Sequence, residues 1–142
     1  MGTKTYNPAD VTLVFGGIIV DGYADGTFIT VARNEDAFTL MIGSDGEACR
    51  AKSNNKSGTV VFTLMQSSLA NDLLSAQFNL DELSPGGDGI APLLMKDNSG
   101  RTVVAAETAW IRKPADITFG REIENREWTI ETNSLIMQGG GN

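Results

Sequence analysis

The chain has 142 residues, of which 41% are hydrophobic and 20% charged, so one domain with a buried core is expected and general disorder is excluded. Eleven Lys and Arg against eighteen Asp and Glu give a formal charge of −7, which disfavours stable nucleic-acid binding because affinity for phosphate depends on cationic side chains. Histidine is absent and Cys49 is the single cysteine, which excludes the usual zinc sites, the usual catalytic triads and an internal disulfide.

The first half of the chain is typical of short strands separated by glycine turns. Apolar residues alternate at the start of residues 11–20 (VTLVFGGIIV), and the two glycines then predict a bulge or tight turn before a second short strand. Residues 27–33 and 37–42 predict two more strands, the second with its apolar residues on one face, and residues 47–52 are compatible with another. The opening residues contain no apolar core of a signal peptide, so we expect folding in a cytosol.

The second half contains the clearest strand and the predicted helix. Residues 59–65 place Val60, Phe62 and Leu64 on one apolar face. Residues 66–83 change to helical spacing, with apolar side chains at Leu69, Leu73 and Ala76, others beside them at 70 and 74, and a serine at 67 or 68 as the N-cap.

Three further strands are predicted at residues 90–96, 102–113 and 126–132, and the glycine-rich residues 139–142 predict a flexible tail. Many short strands and one helix predict a mainly β fold, an antiparallel β-sandwich or barrel with one flanking α-helix, as a single domain over residues 1–142.

Two groups of acidic residues could suggest chemistry. Residues 21–26 (DGYADG) resemble the start of a calcium loop, but Tyr23 and Ala32 stand where ligand oxygens are needed, so two Asp-Gly turns are the better explanation. Glu122 and Glu124, and likewise Glu127 and Glu131, are interpreted as solvated strand faces rather than a carboxylate couple.

The two tryptophans also favour a non-catalytic interpretation. Trp110 and Trp128 lie in predicted strands with apolar residues on their own side, so we interpret both as core residues. No nucleophile–base pair is present. The residues therefore predict no enzyme activity, no cofactor and no metal site, but a structural or interaction protein.

Three long stretches carry a family resemblance. GGIIVDGYADGTFITVARNEDAF, SDGEACRAKSNNKSGTVVFTLMQSSLANDLLSA and AWIRKPADITFGREIENREWTIE, in this order and spacing, resemble the tail tube proteins of contractile-tailed bacteriophages, a family of small phage structural proteins. The resemblance extends to the tube proteins of pyocins and type VI secretion systems.

The resemblance implies a subunit of a hexameric ring, with rings stacked into a hollow tube through which DNA is ejected. Inner strands would line the lumen and the helix would lie outside. Implied partners are further copies of the chain, the tail sheath, the baseplate hub, the tail terminator and the tape measure protein; DNA would pass without specific binding, and no membrane is involved. The implied location is the virion tail, after assembly in the bacterial host cytoplasm.

Two sets of charged residues become candidates in this setting. An acidic lumen wall would let DNA slide, and the candidates for it are Glu107, Glu122, Glu124, Glu127 and Glu131. Residues 43–58 are predicted to form an extended loop or hairpin that reaches a neighbouring subunit, because its mixed charges suit self-complementary contacts. The candidate inter-subunit residues are Arg33, Asp36, Asp45, Glu47, Arg50, Lys52 and Lys56.

Two alternatives stay open from the sequence. The chain could form the tube of a genome-free contractile particle of the pyocin or secretion-system type. It could instead be a non-catalytic ligand-binding β-sandwich, which would need an exposed aromatic platform.

Overall fold

The computed structural model describes residues 2–141, which form ten β-strands, one α-helix and a short 3-10 turn at Pro8–Asp10. The elements are β1 (Val11–Phe15), β2 (Ile18–Val20), β3 (Ile29–Arg33), β4 (Phe38–Ile42), β5 (Ala48–Lys52), β6 (Gly58–Met65), α1 (Ala70–Leu83), β7 (Ala91–Asp97), β8 (Val103–Lys113), β9 (Asn125–Thr132) and β10 (Ile136–Gln138). Within residues 2–141, no helix is long and apolar enough to cross a membrane.

Most of the strands form one antiparallel sheet. Its order is β2-β1-β7-β8-β9-β6-β3, and β10 pairs with the first part of β8. β4 and β5 pair with each other in a separate two-stranded sheet. The predicted mainly β antiparallel fold with one helix is confirmed, whereas residues 114–124 form a loop and not the strand assumed for Glu122 and Glu124.

The core lies on one face of the main sheet. β6 shows the alternation most clearly, because Val60, Phe62 and Leu64 are fully buried while the residues between them are not. Neighbouring strands add inward residues to the same cluster, so one apolar core runs across the main sheet. Burial of each large side chain contributes roughly 1.5–3 kcal/mol, which makes this cluster the main source of stability.

Helix α1 covers part of this core and is held to it by a hydrogen bond. The helix starts at Ala70 and its N-cap is Leu69, which makes no side-chain cap bond, so the predicted N-cap at Ser67 or Ser68 is wrong. The Ser68 Oγ nevertheless accepts a hydrogen bond from the Ala70 N–H at 3.2 Å. Its buried residues are Ala70 and Leu74. The Trp128 Nε1–H of β9 donates to the Asn71 Oδ1 at 2.9 Å and so joins helix and sheet. Leu73, at helical spacing in the sequence, is exposed.

A bulge in β8 changes which residues face the core. Ala106 lies opposite Leu93 and Ala109 opposite Ala91, so three steps along β8 match two along β7. The extra residue reverses the alternation, because a side chain changes face whenever the register moves by one. Trp110 therefore lies half-buried on the face away from Val104 and Ala106, which makes its predicted core position wrong. Trp128 is buried as predicted.

The chain's last residues run beside the start of β8. The Gly140 carbonyl accepts a hydrogen bond from the Thr102 Oγ1 at 3.0 Å, and the Gly141 carbonyl accepts one from the Arg101 N–H at 3.1 Å. Asn142 lies outside the described residues. The predicted flexibility of residues 139–142 stays a prediction.

Candidate inter-subunit surfaces

The β4–β5 hairpin, residues 38–52, is the most exposed part of the structure and is called the arm below. Its strands pair from Phe38 with Lys52 to Ile42 with Ala48. The turn is closed by the Gly43 N–H, which donates to the Glu47 carbonyl at 2.8 Å, and by the Asp45 carboxylate, which accepts from the Glu47 N–H at 3.2 Å. The arm begins five residues before the predicted loop of residues 43–58 and so includes a complete additional strand.

Both faces of the arm are open to solvent. All ten strand residues are exposed, and the four large apolar ones on β4 retain between 47% and 74% of their accessible surface. Strand alternation puts Phe38, Leu40 and Ile42 on one face, while Met41 lies on the other beside Cys49. A two-stranded hairpin is marginally stable alone, so an apolar hairpin outside the core needs a partner surface.

The apolar face of the arm also carries its cations. Cross-strand pairing places Arg50 beside Leu40 and Lys52 beside Phe38. The Arg50 guanidinium lies 4.1 Å from the centre of the Phe38 ring, a cation–π contact within the arm. The result is one surface with an apolar row and a cationic row, called the arm face below.

The seven predicted inter-subunit residues lie along the arm and at its base. Asp45, Glu47, Arg50 and Lys52 belong to the arm itself, and Asp36 lies two residues before it. The base residues are Arg33, which donates to the Leu135 carbonyl at 2.6 Å, and Lys56, whose carbonyl accepts from the Leu135 N–H at 2.9 Å. All seven are exposed, and none forms an ion pair with another residue in the range 2–141. Their charges are therefore available to another chain.

The five predicted lumen glutamates do not form one row. Glu127 and Glu131 share the outer face of β9, as expected from their spacing opposite Trp128 and Ile130. Glu107 lies at the β8 bulge, and Glu122 and Glu124 lie in the 114–124 loop.

The two aligned glutamates differ in local charge. The Glu131 carboxylate is 3.5 Å from the Arg112 guanidinium, which offsets part of its charge. Glu127 forms no ion pair among residues 2–141, so it carries the uncompensated charge of this strand face.

Exposed apolar residues outside the arm were not among the candidate site residues predicted from the sequence. Leu73, Leu80 and Leu83 of α1 and its N-cap Leu69 are exposed on one side of the helix, and Ile117 and Phe119 are exposed in the neighbouring loop. The sequence signal for the helix residues is the spacing of four and three residues between these leucines and Ala76, which is separate from the core residues Ala70 and Leu74. The loop residues carry no periodic signal.

The acidic residues of the described part of the chain do not converge on a metal site. No group of three or more Cys, Asp or Glu side chains within residues 2–141 could hold a metal ion. Asp25 accepts the Gly26 N–H at 3.0 Å, as in a simple Asp-Gly turn.

The sequence matches a family over nearly its full length. Residues 8–139 match the family described as Bacteriophage PhiTE tail tube protein. The chain is also 31% identical to the "Structural protein ORF10" of Pseudomonas phage KPP10 over 146 aligned positions, which cover 99% of this chain and 84% of that protein.

Solved structures share the fold at much lower identity. A chain in the cryo-EM structure of the PVC sheath/tube terminator, from an extracellular contractile injection system in the extended state, has a TM-score of 0.62 at 10% identity and covers 96% of this chain and 99% of its own length. A chain in the cryo-EM structure of the anti-feeding prophage tube-terminating cap has a TM-score of 0.60 at 9% identity. The match covers 97% of this chain and 93% of that chain. At these identities the likeness concerns the fold alone.

Proposed function

Because the chain belongs to the bacteriophage PhiTE tail tube protein family, we propose that it builds the inner tube of a phage tail by stacking rings of identical subunits. Membership makes it a non-catalytic structural protein of the phage tail. The proposal adds that the rings are hexameric, that the tail is contractile and that DNA leaves through the tube during ejection.

The observation that carries the proposal is the arm. Its exposed apolar strand and its cations, which form no ion pair within residues 2–141, lie outside the core of their own subunit, so they contribute little to the stability of a monomer. A contact between the arm and a different surface on the next copy is heterologous, and such contacts either close into rings or continue as filaments. A tube of stacked rings needs one contact that closes within each ring and another that continues from ring to ring.

The proposed contacts involve the residues identified from the sequence. Arg33, Asp36, Asp45, Glu47, Arg50, Lys52 and Lys56 would pair with oppositely charged groups on neighbouring copies, since all are exposed and free of ion pairs within the described chain. The sheath, terminator, baseplate hub and tape measure protein are proposed as partners of the finished tube, assembled in the host cytoplasm.

The lumen wall is proposed to be acidic. Glu127 and Glu131 support this best because they share an outer sheet face, and Glu107, Glu122 and Glu124 remain candidates on other elements. A net charge of −7 has the sign that repels DNA phosphates. A ring structure with all five glutamates on its outer wall would contradict this assignment.

Negative-stain microscopy of the purified protein tests the proposal directly. We expect rings or hollow tubes of constant width from the native chain. Reversing both cations of the arm, in Arg50→Glu/Lys52→Glu, is expected to leave a folded monomer that forms no tubes, because the arm would then repel acidic neighbours. Unimpaired tube formation by this variant would exclude a role for the arm cations in assembly.

A tube of a genome-free contractile particle is the second candidate, favoured by fold likeness to the extracellular injection system chain. The 31% identity to a phage structural protein favours the phage tail. A ligand-binding sandwich is weakened by Trp128, which is buried and bonded to Asn71, but not by Trp110, which is half-buried on the outer face.

A further inference from the structure

Helix α1 has a second apolar side that the core does not use. Five residues recur at alternating intervals of four and three, the spacing of a helical seam that contacts another element. They are Leu69, Leu73, Ala76, Leu80 and Leu83, called the leucine stripe below. All are exposed, the leucines between 51% and 81%, whereas Ala70 and Leu74 fill the core-facing side. The stripe is therefore a surface for something outside the subunit.

The helix that carries the leucine stripe is acidic. Asp72 lies one turn before Ala76 on the helix and, with Ile117 and Phe119, borders a cleft beside it. Arg126 also lines this cleft, but its guanidinium lies 5.4 Å from the centre of the Phe119 ring and donates to the Thr118 carbonyl at 3.3 Å. Asp72 forms no ion pair among residues 2–141. Helix α1 contains Asp72, Asp81 and Glu82 and no Lys or Arg, so its net charge is negative. A matching surface should combine apolar side chains with cations.

The arm face of another copy has this combination. Phe38, Leu40 and Ile42 supply the apolar row, and Arg50 and Lys52 supply cations that form no ion pair in the described part of their own chain. A five-residue strand has four rises and extends about 14 Å, so the arm face would cover about two thirds of the stripe. The stripe spans fourteen helical steps, or about 21 Å.

A second apolar surface fits the arm less well. A groove of about 480 Å³ between β3 and β10 is lined by Ile29, Val31, Met95, Val104 and Met137 among others, and none of its lining residues is charged. An arm inserted there would hold Arg50 and Lys52 near apolar groups without an anion, and unpaired charge at a buried contact is unfavourable.

We propose that the arm face of one subunit packs on the leucine stripe of a neighbouring copy, with Arg50 paired to Asp72. This inference rests on the proposed tube function and specifies which two surfaces meet. The two surfaces differ and both occur once per chain, so each subunit offers an arm to one neighbour and a stripe to another. The contact therefore propagates from copy to copy.

A charge-exchange experiment tests the pairing. Arg50→Glu and Asp72→Arg, each alone, should raise the protein concentration needed for tube formation about tenfold, because each places like charges together. The double variant Arg50→Glu/Asp72→Arg should recover most of the loss. Glu82→Arg makes the same charge change on the same helix away from the stripe, and we expect it neither to impair assembly nor to rescue Arg50→Glu.

A covalent test covers the case in which a charge variant misfolds. In a Cys49→Ser background, Arg50→Cys/Asp72→Cys should give disulfide-linked multimers after oxidation of assembled tubes, visible on a denaturing gel. Replacing Asp72→Cys by Glu82→Cys should give monomers. Linked multimers from Arg50→Cys/Asp72→Cys but not from Arg50→Cys/Glu82→Cys support the pairing. Equal linking in both variants, or no linking in assembled tubes of the first variant, overturns it.

The outcomes separate the two proposals. If the native chain forms no rings or tubes, the proposed function fails and the pairing fails with it. If the native chain forms tubes but the double charge variant is no better than the single variants, the pairing is overturned and the tube function stands. Circular dichroism and thermal unfolding of each monomer establish that the variants are folded.

Discussion

Tyr23 has a buried hydroxyl group that lacks a hydrogen-bond partner within residues 2–141. Its ring packs 4.8 Å from the Phe28 ring. Burial, and secondarily the negative charge of Asp21, raise the pKa of Tyr23 to about 12. The native state therefore holds the neutral phenol more strongly than the unfolded chain does.

Tyr23→Phe is expected to raise the free energy of unfolding at pH 7 by about 1 kcal/mol, because it removes an unsatisfied buried hydroxyl. The pKa is raised on folding, so the native protein binds more protons than the unfolded chain and loses stability as pH rises from about 10 to about 12. Tyr23→Phe should lack this contribution. Urea titrations at pH 7 and above pH 10 measure both effects; the exposed Tyr6→Phe is the control and should change neither.

Gly58 is required where the base of the arm joins the core. A Cβ at this position would lie 2.3 Å from the Leu135 Cδ2 and 3.1 Å from the Ala32 carbonyl oxygen. Gly58→Ala should reduce the free energy of unfolding by about 1–3 kcal/mol, because fully buried Leu135 has no room to move. Gly17→Ala, with nothing within 4 Å of the added carbon, should cause no loss in the same denaturant titration. Equal losses would contradict this steric explanation.

Strands with uninterrupted apolar alternation could be predicted from the sequence. Features that depend on pairing with a neighbouring strand, such as a bulge, could not. β6 could be predicted because Val60, Phe62 and Leu64 alternate without interruption in a central strand. The side of the sheet on which Trp110 lies could not be predicted, because one extra residue in β8 reverses the alternation and no sequence signal marks this bulge. Glu122 and Glu124 were misplaced because a loop can contain alternating residues.

The arm and α1 show that apolar periodicity does not identify the surface against which a face is buried. Alternation correctly places Phe38, Leu40 and Ile42 on one face, yet it does not tell whether that face meets its own core or another chain. The same holds for Leu73 and Leu74, adjacent apolar residues of which only the second is buried. In a protein that assembles, apolar periodicity can therefore indicate burial in the protein's own core or burial against another subunit.

Replacing the arm, residues 38–52, by a short Gly/Asn turn should separate folding from assembly. None of its ten strand residues is buried, so the free energy of unfolding should change by no more than about 1 kcal/mol. Tube formation should disappear. Thermal unfolding and sedimentation velocity measure the two effects, and an arm of equal length with its residues shuffled distinguishes the loss of the specific surface from the loss of chain length. Loss of cooperative unfolding would show that the arm supports the monomer fold.

For the whole molecule, the distribution of charge matters more than its sum. The −7 charge includes acids on α1, on the arm turn and on β9, which would face different surroundings in a tube. Acids at subunit contacts can be neutralised by arm cations, whereas acids on a lumen wall would remain as a continuous negative surface. Changing one acid at a time therefore distinguishes these positions.

Glu127→Lys should convert the tube from one that repels DNA into one that retains it. Glu127 has no ion pair among residues 2–141, while Glu131 is already close to Arg112, so Glu131→Lys should have the smaller effect. Co-sedimentation of assembled tubes with a single-stranded oligonucleotide measures retention, which should fall steeply between about 50 and 200 mM salt because phosphate contacts release counterions. Glu82→Lys on α1 makes the same charge change away from β9. If it retains as much oligonucleotide as Glu127→Lys, the effect reflects total charge, and β9 does not line the lumen.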